Sequence, residues 1–243
     1  MTSDASRESE QGLAPPGEAG AAPPSGDRFA AGLRGFGPLG ILAILVVLSG
    51  NLVDPPLSAV LVLAWTWRSR TPWREIGYVR PRSWIGALTV GAVFGCAFKL
   101  LLKIIVMPLL GADPINHAYH YLVGNRAALP GMLLAVIVGA GFGEETVFRG
   151  YLLERLGKLL GHGAGARVAI VLFTAALFGV AHYSVQGLAG TEQAAIVGLV
   201  FGAIFAATGR IAMLMVAHAA FDVTAIAIIY WDLEAKLAHL VFR

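Results

Sequence analysis

Long apolar runs without alternation decide what this chain can fold into. They lie at about 37–53, 57–67, 84–110, 129–150, 168–185, 194–208 and 211–231, and short polar stretches separate them. In lipid only a helix or a closed barrel satisfies its own backbone, and a helical span needs about 20 apolar residues. Strands of a barrel would alternate every second residue, which these runs do not. The expected fold class is therefore all-α, a polytopic membrane helix bundle. About seven transmembrane helices are expected, or six if Asp54-Pro55-Pro56 kinks one long helix instead of separating two short ones.

Of the 243 residues 57% are hydrophobic and 14% charged, and the mean hydropathy is +0.71. Soluble domains carry roughly a quarter charged residues, so a soluble protein is excluded. The formal charge of +3 sits in short loops, which argues against nucleic acid as a partner and for orientation signals in a bilayer. Residues 68–83 hold Arg68, Arg70, Arg74, Arg80 and Arg82, and residues 149–167 hold Arg149, Arg155, Lys158 and Arg167. The opposing stretch 111–129 has Arg126 alone, and 183–193 has no basic residue. The expectation is a multi-pass protein of the cell (inner) membrane with both basic loops and the N-terminus in the cytoplasm. Trp65, Trp67, Trp73 and Trp84 flank the first basic loop as interfacial anchors would, and residues 151–160 read as an amphipathic extension along that surface.

Residues 1–36 are expected to be a disordered N-terminal tail, since most of that stretch is Ala, Gly, Pro, Ser and acidic residues. Residues 37–83 follow as N-terminal membrane helices and a basic loop, 84–231 as the core, and 232–243 as a C-terminal tail. Cys96 is the single cysteine, so no disulfide forms within the chain. Gly91 and Gly95, then Gly198, Gly202 and Ala206, recur at four-residue spacing, which lets helix backbones approach closely.

The ionisable residues inside the runs are Lys99, Lys103, Glu144, Glu145, Arg149, His182, His218 and Asp222. A charge at the bilayer centre costs on the order of 2.5 kcal/mol or more, so each needs a partner or a task. Lys99 and Lys103 share a face and could snorkel toward an interface or line a cavity; the bland reading is preferred, since no acid of matching spacing accompanies them. His117 and His120 read as surface residues of a loop. Glu145 and Arg149 are four apart, the spacing of a helical ion pair. Glu144 points about 100° away on an α-helix and can face another partner. The bland reading is that both glutamates neutralise the arginine, although two carboxylates are one more than that requires. Gly163 lies 19 residues from both Glu144 and His182, so a hairpin turning there brings the two level. His218 and Asp222 are four apart, where the aspartate can orient the imidazole, or where the two merely satisfy each other.

In order, Glu144-Glu145-x-x-x-Arg149, Phe178-x-x-x-His182 and His218-x-x-x-Asp222 resemble the three motifs of the CAAX-protease and bacteriocin-processing family of intramembrane endopeptidases. The resemblance spans roughly residues 84–231 and implies a helical bundle with its site in a cavity within the bilayer. It implies that Glu144 activates water with His182 as its partner on that water. Glu145 and Arg149 match the supporting ion pair, and His218 a histidine that helps to bind the reacting carbonyl. Asp222 falls where many members have asparagine. An ionised aspartate accepts but does not donate to an oxyanion, so orienting His218 is the task assigned to it. Two histidines and a carboxylate could bind zinc, but adjacent glutamates are poor joint ligands. No cofactor is therefore expected to be obligatory, with zinc the divalent alternative. The expected partners are the lipid bilayer and a membrane-embedded or membrane-anchored peptide of a bacterial cell, such as a C-terminal anchor segment. Two other classes suit intramembrane acids and histidines: a proton-coupled transporter, which would carry repeats and broken helices, and a non-catalytic family member that binds membrane peptides.

Overall fold

The computed structural model describes residues 25–241, so residues 1–24 of the expected tail, and residues 242–243, lie outside the described residues. Helices α1 (Ser25–Arg34), α2 (Pro38–Val53), α3 (Pro55–Arg68), α4 (Trp84–Leu109), α5 (Leu129–Leu160), α6 (Ala164–Thr208), α7 (Ala212–Tyr230) and α8 (Glu234–Ala238) follow in order. No strand occurs among the described residues. The protein is an all-α, multi-pass membrane bundle.

Four helices, α4 to α7, are long and apolar enough to cross a membrane, and the bent pair Asp27–Arg34 with Pro38–Asn51 raises this to five. The sequence suggested about seven spans, and the difference has two physical sources. First, α2 and α3 have 16 and 14 residues, short of a full span, because extended Asp54 and the two following prolines break one helix and start another. Second, α6 enters that count once, although its 45 residues turn at Gly187 (φ 63°, ψ −159°), a backbone that glycine adopts without strain, and its two arms carry two of the expected runs. Its arms are antiparallel: Gly198 lies against Ala175, which a straight helix would hold about 35 Å away.

Helices α4 and α7 form the largest helix–helix contact, and α5 packs between α3 and α7. The approach of α4 to α7 depends on small residues. A methyl group at Gly95 would overlap the Ala217 carbonyl oxygen, and one at Gly91 would lie 2.7 Å from that of Met213. The middle of α7 is thereby pressed between α4 and α5, which places His218 and Asp222 in the centre of the bundle.

Residues 25–36, counted with the tail, are held by specific contacts where described. The Trp65 indole donates to the Leu33 carbonyl at 3.0 Å, and Arg155 donates to the Arg34 carbonyl at 2.6 Å. The Arg155 guanidinium lies 4.7 Å over Trp65 and 5.3 Å over Phe36. Trp65 is thus a core residue, whereas Trp67, Trp73 and Trp84 are exposed as anchors should be. The end of α5 is amphipathic, with Glu154 and Arg155 turned inward and Lys158, Leu159 and Leu160 exposed. Within the expected C-terminal tail, Glu234 is buried and pairs with Lys103 at 3.3 Å.

Replacing Gly95 by leucine should drive α4 from α7 and destabilise the fold by about 1–3 kcal/mol or more. Gly131→Ala, where nothing lies within 4 Å, should leave stability unchanged or slightly raised. Thermal unfolding midpoints of the purified proteins in detergent distinguish the two.

Candidate active site

The Glu144-Glu145 pair sits on backbone that departs from α-helix. After an α-helical start at Leu129–Leu134, α5 winds as π-helix over Ala135–Glu144 and again over Thr146–Leu152. Such i→i+5 winding is rare and frequently accompanies functional sites. The 100° step of an α-helix therefore does not describe how Glu144 is turned relative to Glu145. The irregular segment is clamped from outside. The Thr146 hydroxyl donates to the Phe142 carbonyl at 2.7 Å and lies 2.7 Å from the Tyr78 hydroxyl. Burial pushes the Tyr78 phenol up, against the lowering effect of its bond to Thr146, so it remains a proton donor.

Glu145 is completely buried. Its Oε1 accepts from His218 Nδ1 at 2.7 Å and lies 3.0 Å from an Arg149 terminal nitrogen. The arginine contact is an ion pair without hydrogen-bond alignment, and the guanidinium is otherwise covered by aromatic faces. Its carbon lies 4.6 Å from the Phe178 ring centroid and 5.5 Å from that of Phe201. Cations are attracted to such faces, so both arms of α6 enclose the charge that Glu145 compensates.

Glu144, His182, His218 and Asp222 line one cavity of about 600 Å³, beside Phe178, Gln186 and Tyr119. His182 Nδ1 lies 2.8 Å from the Phe178 carbonyl, which can only accept, so Nδ1 carries the proton and Nε2 is left for another partner. His218, with Nδ1 donating to Glu145, has Nε2 3.8 Å from Glu144 Oε2 and 3.7 Å from Asp222 Oδ2. Both distances exceed a hydrogen bond. Glu144 Oε2 has no hydrogen-bond partner among the described residues. All six residues singled out in the sequence thus converge, four on the cavity wall and Glu145 and Arg149 behind it. One relation differs from expectation: the carboxylate that orients His218 is Glu145, and Asp222 stands off.

Residues outside those motifs also shape the cavity. Phe201 covers Arg149 from the second arm of α6 and lies edge-on to His218, ring centroids 5.7 Å apart. Gln186 donates to the Tyr119 hydroxyl at 3.4 Å, and burial, followed by the Asp222 charge, pushes the Tyr119 phenol up. Lys99 and Lys103 do not snorkel: Lys99 is 7% exposed and donates to Gln193 at 2.9 Å. Glutamines inside an apolar helix were the available signal, which a survey of ionisable residues passes over. Among the described residues no group of three His, Cys, Asp or Glu side chains is arranged to hold a metal ion.

Residues 126–224 match the family model described as Type II CAAX prenyl endopeptidase Rce1-like, a stretch that includes all six residues. No curated protein and no solved structure matches the chain.

Glu145→Gln should leave the buried Arg149 charge uncompensated, at a cost of about 3–5 kcal/mol. Asp222→Asn, on the cavity wall, should change stability far less. Chemical or thermal unfolding of the two variants side by side checks this order.

Proposed function

We propose that this chain, which matches a CAAX-type endopeptidase family model over residues 126–224, is an intramembrane peptide hydrolase that cleaves its substrate with water activated by Glu144 and His182. The observation that carries this reading is the single cavity walled by Glu144, His182 and His218, with His218 fixed from behind by Glu145. Glu144 takes a proton from the water, and His182 Nε2 accepts the second hydrogen as a hydrogen bond, which aligns the oxygen. The oxygen attacks the carbonyl carbon, and the carbonyl electrons move to its oxygen. His218, whose positive form is stabilised by Glu145, donates from Nε2 to that oxyanion. As the intermediate collapses, the C–N bond breaks and Glu144 returns its proton to the leaving amine. Asp222 Oδ2 lies 3.7 Å from His218 Nε2, on the side of the ring that faces the oxyanion. No step of this scheme is routed through a metal.

The proposed substrate is a membrane-embedded or membrane-anchored peptide, such as a C-terminal anchor segment of a bacterial protein. The cavity supports this, since its wall combines the acid and histidine groups with apolar residues of α5 and α7. The arginines of 68–83 and 149–167 support a cytoplasmic N-terminus in the inner membrane. A proton-coupled transporter would carry internal repeats, and the sequence shows none.

Glu144→Gln should lower cleavage roughly 10²- to 10⁴-fold while the unfolding midpoint falls little. The check compares protein termini, by mass spectrometry of membranes, between cells with wild-type and variant chains. Unchanged termini in the variant, or full activity of the purified variant, would sink the mechanism. Wild-type activity should survive removal of divalent ions by chelator, with elemental analysis confirming that the ions are gone.

A further inference from the structure

Two cavities meet beside α4. The one walled by Glu144 and His182 shares Lys99, Asn116, Gln186 and Gln193 with a second, of about 340 Å³, that lies under the 112–118 loop. Lys99 stands at the junction. Its Nζ donates to Gln193 Oε1 at 2.9 Å and lies 5.0 Å from the Phe221 ring centroid. An ammonium has three donors, and Gln193 occupies one. Among the described residues no carboxylate lies within ion-pairing distance of Lys99, although it is 93% buried by its 7% exposure.

Lys103, one turn further along α4, differs in every respect that matters. It donates to the Pro114 carbonyl and to Glu234 Oε1 at 3.3 Å, and Glu234 also accepts from the Asn116 backbone at 3.0 Å. That knot fastens the 112–118 loop to α8 and leaves Lys103 compensated. The other acids on these cavities are exposed Asp54, Glu144 and Asp222 on the first and Asp113 on the second, and none of them pairs with Lys99. Asp222 stands beside His218, and Asp113 is exposed and engaged with His117 at 3.1 Å and with the Ile115 amide at 2.7 Å. Lys99 is thus a buried cation facing the reaction cavity with donors to spare, which is costly unless a ligand completes it.

We propose that Lys99, assisted by the Gln193 amide, receives the free C-terminal carboxylate of the substrate, so that the enzyme positions its cut by distance from a chain end. The inference rests on the endopeptidase reading above. With Gln193 Oε1 accepting from Lys99, the Gln193 amide nitrogen, which has no hydrogen-bond partner among the described residues, is available to donate near the ammonium. Together they offer two neighbouring donors to the two oxygens of one carboxylate. On a peptide otherwise apolar enough to enter the bilayer, the chain terminus is the group that supplies such an anion.

The test uses the full chain in lipid nanodiscs. The probe is a peptide library with four randomised C-terminal residues behind either a farnesylated cysteine or an apolar anchor of about 20 residues. Each peptide is made as the free acid and as the C-terminal amide, and products are read by mass spectrometry. Wild type should cleave free acids with kcat/KM roughly 10- to 100-fold above the amides. Lys99→Met should erase that preference, mainly through KM, and Lys99→Arg should restore part of it. Equal cleavage of acids and amides by wild type, or a preference that survives in Lys99→Met, overturns the assignment and leaves the protease standing. Cleavage of neither form by wild type overturns the endopeptidase reading and this assignment with it.

Discussion

One carboxylate oxygen ties the centre of the bundle together. Glu145 Oε1 meets Arg149 on its own helix and His218 on α7, and the arginine is enclosed by Phe178 and Phe201 from the two arms of α6. Three helical elements are therefore set relative to one another by a single buried charge cluster. Such a cluster is a weak source of net stability, because desolvation consumes most of what the attraction returns. Its use is registry. Any slip of α5 against α7 would strand a cation away from water, so the cluster allows few alternatives.

That arrangement gives two neighbouring glutamates opposite surroundings. Glu145 is sealed behind the cavity with Oε1 held by His218 and Arg149, whereas Glu144 lies on the cavity wall with no such fixed pairing for its Oε2. Like residues placed in unlike environments are a common way to obtain one structural and one reactive group from the same chemistry. The π-helical winding around them belongs to the same device, since it alters how successive side chains are presented.

What the sequence revealed followed the reach of local spacing. Glu145 and Arg149 are four apart on one element, so their contact was legible even though the winding turned out to be π. The partner of His218 was not legible: Asp222 is four residues away on the same helix, but the imidazole bonds to Glu145, 73 positions earlier. The Lys103–Glu234 pair, 131 positions apart, was hidden for the same reason. Hydropathy marked where apolar segments lie but not where they end as spans, because the α2–α3 break and the Gly187 turn depend on a few backbone angles. Trp65 resembled its three neighbours by type, and only the packing of Leu33 and Arg155 around it distinguishes core from interface.

The central claim is that this buried cluster serves direct attack by water, with Glu144 as base rather than nucleophile. Single-turnover hydrolysis in ¹⁸O-labelled water tests it most directly. Water attack places the label in the new carboxylate of the product during the first turnover and leaves the Glu144 side chain unlabelled. An unlabelled first product, with ¹⁸O appearing in the peptide that contains Glu144, would mean a covalent acyl-glutamate intermediate and would contradict the account.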